Sequence, residues 1–366
     1  MNSYQTTLEC LRTEHNFRAI PEDTTGRDLI DLSGNDYLGI AADSDMRREF
    51  MEQSTGLSLS ASASRLLAAD QAEFRLFEEL LRDYYGGRAL MFNSGYHANS
   101  GAVAALAKGR TLIVADKLVH ASIIDGIMLS KAPFERFRHN DVVHLERILE
   151  KKAAAYDNVL IIVESVYSMD GDKAPLDEIA RIKRRFPGAL LYVDEAHALG
   201  VCGRDGLGLA SGIDGVDFIV GTLGKAIGSV GAFIVCRLPE MYDYFVNTAR
   251  SLIFSTALPP INVAWSRFVL ERLPAMTDRR ERLMNLSRML AGALGDVSES
   301  HIRPLITGSS ESALSLSAKL LERGFKVLPI RTPTVPPGTE RLRFSLSADI
   351  EPDAIVRLGE VLRSIN

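Results

Sequence analysis

The chain of 366 residues is 46% hydrophobic, 24% charged and 7% aromatic, which supplies a core, leaves no long polar tract and excludes disorder. Its 42 Lys and Arg against 47 Asp and Glu give a net charge of -5, no electrostatic footprint for nucleic acid or an anionic membrane. No apolar run approaches the roughly 20 residues of a spanning helix, the N-terminus lacks the basic and apolar regions of a signal peptide, and Cys10, Cys202 and Cys236 are too few and scattered for a disulfide framework or a zinc site, so a soluble cytoplasmic protein is expected.

In chain order, residues 1–35 read as an N-terminal arm with one short helix. Residues 36–248 alternate short apolar runs with helical patterns. Runs at 89–92, 111–115, 159–163, 189–193, 217–220 and 232–235 are nearly continuous in Val, Ile and Leu, as strands covered on both faces require. Helical stretches such as 73–84 and 177–186 lie between them, and this repetition predicts an α/β domain with a mostly parallel central sheet covered by helices. Residues 249–366 change texture. A long helical stretch over 262–290, interrupted at Pro274, precedes short strands at 302–306, 326–330 and 341–345 and helices at 310–323 and 351–365, a smaller C-terminal α+β lobe.

Ligands of open α/β sheets bind beyond the carboxyl ends of the strands, so the residues after each strand carry the functional reading. Asn93-Ser94-Gly95-Tyr96-His97 follows the first strand and opens a helix; it reads either as an ordinary helix cap or as a phosphate site, with Gly95 letting backbone amides approach an anion. Asp194-Glu195-Ala196-His197 ends another strand. A buried carboxylate there needs a partner, and a protonated heterocyclic nitrogen, a salt bridge or a metal would each serve; one His gives no complete metal set. Gly221-Thr222-Leu223-Gly224-Lys225-Ala226 departs from a nucleotide phosphate loop twice, at Ile219 and at Ala226. A lysine crowded by small residues at a sheet edge suits an amine that condenses with an aldehyde. Phosphate-binding backbone, an acid for a ring nitrogen and an amine nucleophile together specify pyridoxal 5'-phosphate (PLP), with no metal.

With these motifs stand Leu118-Val119-His120-Ala121-Ser122, Phe137-Arg138-His139-Asn140-Asp141, Val166-Tyr167-Ser168-Met169-Asp170-Gly171-Asp172 and Thr334-Val335-Pro336-Pro337-Gly338-Thr339. As an ordered set, from Asn35-Asp36-Tyr37-Leu38-Gly39 to Arg341-Leu342-Arg343, they resemble the α-oxoamine synthase family of fold-type I PLP enzymes. The resemblance implies that Lys225 carries the cofactor and moves the Cα proton, that Asp194 pairs with the pyridine nitrogen, and that His197 reaches the 3'-oxygen. It further implies that His120 stacks on the ring, that Ser168 contacts the cofactor, and that Ser94, Gly95, Tyr96 and Thr222 hold the phosphate. Ser255 and Thr256 would touch the phosphate of a partner copy in a homodimer with shared active sites. Asn35, Thr334, Arg343 and, in the arm, Arg18 would contact substrate, Arg343 clamping a carboxylate.

The implied reaction removes the Cα proton of an amino acid, joins that carbon to an acyl thioester and releases thiol and CO2. The stretches 169–176 and 331–336 most resemble members that use L-alanine and a pimeloyl thioester of coenzyme A or a carrier protein in biotin synthesis; members using glycine or serine share other motifs, and an aminotransferase would share Asp194 and Lys225. One segment departs from the family. Residues 58–70 carry alanine and serine where glycines usually stand, and these take positive φ only at a cost, so that loop bears on substrate choice.

Overall fold

In the computed structural model the described residues are 2–21, 23, 28–295 and 300–365. By its contacts the chain divides into two compact units, one of residues 1–37, 168–172 and 281–366, the other of residues 38–167 and 173–280. Strand β1 (Ile30–Asp31) belongs to the smaller unit, and the next seven strands build the sheet of the larger one. Within the larger unit the helix Pro260–Arg272 packs on the helix Ala72–Tyr85, where Tyr84 donates to the Leu270 carbonyl (3.1 Å) and Arg267 pairs with Glu73 (3.1 Å).

The larger sheet consists of β2 (Arg88–Phe92), β3 (Thr111–Asp116), β4 (Phe134–Phe137), β5 (Asn158–Glu164), β6 (Ala189–Asp194), β7 (Phe218–Thr222) and β8 (Ala232–Cys236). Their order is β2-β8-β7-β6-β5-β3-β4, and only β8 runs against its neighbours. The six expected strands are all present. β4 was not expected: it is an edge strand in which only Phe137 is buried, so it lacks the continuous apolar run of its neighbours. Leu160, Ile162, Tyr192, Phe218, Val220 and Ile234 cover one face, against Ala98, Ala102 and Val103 of the helix Gly95–Leu106. Full burial of such large apolar side chains contributes about 1.5–3 kcal/mol each.

In the smaller unit, β9 (Ile302–Ile306), β11 (Pro329–Ile330) and β12 (Arg341–Ser345) form an antiparallel sheet in the order β11-β12-β9, while β10 (Phe325–Lys326) pairs with β1 in parallel. The strand expected over 326–330 is therefore two short strands in two sheets, as a proline at 329, which has no N–H for a continuous ladder, favours.

Glu195, just after β6, organises the turn that supports the sheet's carboxyl edge. Its carboxyl accepts from Ser165 Oγ (2.7 Å), from the Leu209 amide (3.1 Å) and from the Ala210 amide. Gly208, at φ +87°, admits this approach; a Cβ there would lie 2.6 Å from Glu195 Oε2. Burial pushes the Glu195 carboxyl up to about 7. The folded chain thus holds a proton there that the unfolded chain has released, so stability present at low pH is lost as pH rises from about 4.5 to 7, by at most about 1.4 kcal/mol per pH unit. Denaturant midpoints measured across that window should fall with pH in the natural protein, and Glu195→Gln should remove this component of the slope.

Candidate active site

The carboxyl edge of the larger sheet opens into a cavity of about 240 Å³ lined by residues that follow β2, β3, β5, β6 and β7. Ser94, Gly95, Tyr96, His120, Asp194, His197, Thr222 and Lys225 all line it, joined by Asn99, Ser122 and Glu164. The topology explains the convergence: parallel strands deliver their carboxyl ends to one side, whatever their separation in sequence.

Asp194 is only 2% exposed. Its Oδ2 accepts from Asn99 Nδ2 (2.7 Å) and its Oδ1 from the Ala196 amide (2.9 Å), two N–H donors that fix the side chain at the cavity wall. Asn99 is itself fixed, accepting from the Tyr192 hydroxyl (2.8 Å) and donating to Ser122 Oγ (3.0 Å). Sequence reasoning missed Asn99, although it stands four residues after Gly95 and hence on the same helix face. Glu164 was missed too, although it ends an apolar strand in the same manner as Asp194 and stands level with it in the β5–β6 register.

His120 caps the helix Ala121–Ser130. Its Nδ1 accepts from the Ser122 amide (3.2 Å) and lies 2.8 Å from Ser122 Oγ, which fixes the ring's orientation while leaving the side chain exposed to the cavity. Desolvation by the cavity walls lowers its basicity, the Lys225 cation lowers it further, and the Asp194 carboxylate opposes both. A neutral ring open on a face suits stacking on an aromatic ligand. Lys225 is half-buried in the turn after β7, and His197 is buried beside Asp194.

At the other end of the cavity, the helix Gly95–Leu106 presents its first turn. Ser94 Oγ accepts from the His97 amide (3.2 Å), while among the described residues nothing accepts the Gly95 and Tyr96 amides. Such amides form an anion site. Tyr96 contributes backbone only, since its hydroxyl donates to Asp125. A Cβ on Gly95 would lie 2.5 Å from Thr222 Cγ2, so the glycine lets the Thr222 side chain, whose hydroxyl donates to the Ala196 carbonyl (3.3 Å), pack against the helix terminus. This donor set fits PLP: the amides would take the phosphate, Lys225 the aldehyde and Asp194 a protonated ring nitrogen.

The remaining expected residues lie elsewhere. Ser255 lines a small separate cleft with Asn93 and Arg65, and the Thr256 carbonyl accepts from Asn93 Nδ2 (2.6 Å) while Thr256 bridges to Ser64. In the smaller unit, Arg343 Nε donates to the Ser168 carbonyl (2.6 Å) and its Nη2 to Asn35 Oδ1 (3.1 Å) and the Tyr37 hydroxyl (3.3 Å), with no carboxylate partner among the described residues. Arg18 Nη2 donates to Thr334 Oγ1 (2.8 Å). In the loop 58–70, Ser62 does take a positive φ of 52° without a glycine there.

The sequence profile of the aminotransferase class I and II family matches residues 27–362. The chain belongs to that family. Within the class I and II aminotransferases it is 46% identical, over 95% of both chains, to a Pasteurella multocida protein named "Putative 8-amino-7-oxononanoate synthase". A Neisseria meningitidis protein of the same name is 44% identical over 97% of this chain and 98% of its own. Among solved structures, a serine palmitoyltransferase from S. paucimobilis, with PLP and myriocin bound, overlaps with a TM-score of 0.91 at 30% identity, covering 99% of this chain and 96% of the other. An 8-amino-7-oxononanoate synthase from Francisella tularensis overlaps with a TM-score of 0.78 at 29% identity, covering 92% and 98%.

Removing the fit at either end of the cavity should weaken cofactor binding. Gly95→Ala, through its clash with Thr222, and Asn99→Ala, through the lost donor to Asp194, are each expected to raise the dissociation constant for PLP roughly tenfold, read by fluorescence titration of the apoprotein.

Proposed function

We propose that this chain, a PLP-dependent enzyme of α-oxoamine synthase type, condenses L-alanine with a pimeloyl thioester to give 8-amino-7-oxononanoate, free thiol and CO2. One observation carries the reading: Lys225, Asp194, His120 and His197 converge on a single cavity in a chain 46% identical, almost end to end, to a protein bearing that enzyme's name. When bound, PLP supplies an aldehyde for the amino group and a ring that accepts electrons from Cα.

The chain's own residues do the rest. The Lys225 amine holds the aldehyde and, once the amino acid has displaced it, takes the Cα proton and returns it at the end. Asp194, ionised by its two N–H donors, keeps a proton on the ring nitrogen. His120, open to the cavity, would stack on one face of the bound ring, His197 would reach the ring's 3'-oxygen and Ser168 would contact the cofactor. The Gly95 and Tyr96 amides, the Ser94 cap and Thr222 anchor the phosphate. Arg343, held by the Ser168 carbonyl and Asn35, would offer its planar fork to the amino acid's carboxylate, and Thr334 and Arg18, hydrogen-bonded to each other, would contact substrate. Holding the reactants in this geometry is itself a large part of the acceleration.

The proposal includes a homodimer in which Ser255 and Thr256 serve the partner's phosphate. Leu59, Leu66, Leu67 and Phe254 are exposed on the loop and helix end around the Ser64–Thr256 bridge, an apolar surface suited to a second copy. Sedimentation should show a dimer, and Leu67→Asp should shift the species toward monomer and lower turnover.

A serine- and palmitoyl-type reading is favoured by backbone overlap alone, 0.91 against 0.78; the higher identity to the P. multocida protein outweighs it, because side chains set specificity. Steady-state assays over alanine, glycine and serine with pimeloyl and palmitoyl thioesters decide between them. Alanine with the pimeloyl thioester should give the highest kcat/KM with stoichiometric thiol and CO2. Amino-group exchange with a 2-oxo acid would instead mean transamination, and full activity in Lys225→Ala would remove the mechanism.

A further inference from the structure

Glu164 lines the cofactor cavity yet has no part in the chemistry above. It is 2% exposed, ends β5, and stands level with Asp194 on the neighbouring strand, so the two carboxyls leave the sheet on the same side. Its Oε1 is buried with no hydrogen-bond partner among the described residues, and its carboxyl receives one N–H donor, from the His120 backbone. Asp194, by contrast, receives two N–H donors. Two adjacent carboxylates in a desolvated site do not both ionise, and the proton goes to the one with fewer donors.

We propose that Glu164 is kept as a neutral carboxylic acid beside the ionised Asp194, so that the floor of the cavity presents one negative charge to the one positive charge of a protonated pyridine ring. Glu164 acts through Asp194 and is a positioning residue. A second carboxylate would leave the floor with a surplus negative charge that no cation of the ligand balances.

The surrounding groups agree in sign. Burial raises the Glu164 carboxyl well above the usual carboxylate range, the Asp194 anion raises it further, and Asp116 at the end of β3 adds to this. The Lys225 cation and the His120 backbone N–H oppose them and do not prevail, and burial raises the hydroxyl of Tyr167, three residues beyond β5, well above the usual tyrosine range. The inference rests on PLP use and not on the choice of amino acid or thioester.

The test compares the natural protein with Glu164→Gln, which is neutral and nearly isosteric. Infrared spectra should show a protonated-carboxyl stretch at pH 7 that is missing from Glu164→Gln, in apoprotein and holoenzyme alike. The variant's visible absorption should lose an alkaline inflection that the natural holoenzyme shows as Glu164 ionises. Absence of the infrared band, or a fall of about tenfold in PLP affinity or turnover in the folded variant at pH 7, would overturn the proposal. Glu164→Leu serves where Gln prevents folding; failure of both to fold would show that a neutral side chain is not accepted and would equally overturn it. Because the infrared and PLP-binding measurements involve no substrate, a wrong assignment of alanine or thioester leaves them unchanged.

Discussion

A carboxylate buried at the end of a parallel strand is a costly feature, and the arrangement around Asp194 is the means by which this chain sustains it. The Asn99 amide and the Ala196 N–H hold the charge in place, and Tyr192 and Ser122 hold Asn99. What remains unsatisfied is an anion facing a cavity, which is the complement of a protonated aromatic nitrogen. The Lys225 amine, the helix terminus at Gly95 and the His120 imidazole line the same cavity.

The same economy of charge runs through the neighbouring groups. Glu195, one residue further on, spends its oxygens on Ser165 and on two backbone amides and stabilises the turn rather than the ligand. Glu164, on the adjacent strand, has the His120 backbone N–H and an Oε1 with no partner among the described residues. Three carboxyls within two strand ends thus take three roles, decided by how many N–H and O–H donors reach each one. In the smaller unit Arg343 shows the converse, a cation held by a carbonyl, an amide oxygen and a phenol, and so left for an anion from outside.

Much of this was legible in the sequence. Strands buried on both faces must be apolar throughout, so six of the seven strands of the large sheet stood out as runs, and the polar residues placed just after them marked Asp194 and Lys225, while His120 stood out only through its motif. The edge strand β4 escaped because it is buried at one residue only, and the stretch 326–330 misled because apolar character does not say to which sheet a short strand belongs.

By itself, the sequence determined the fold class and the PLP cofactor, since burial periodicity and residue type are local properties that the chain carries wherever it goes. The tertiary structure alone decided which polar groups share a charge. Asn99 looks like any helix amide and Glu164 like any strand-terminal acid until the β5–β6 register and the packing of the first helix bring both to Asp194. Electrostatic roles depend on distance and desolvation, and neither exists before the chain has closed around the site.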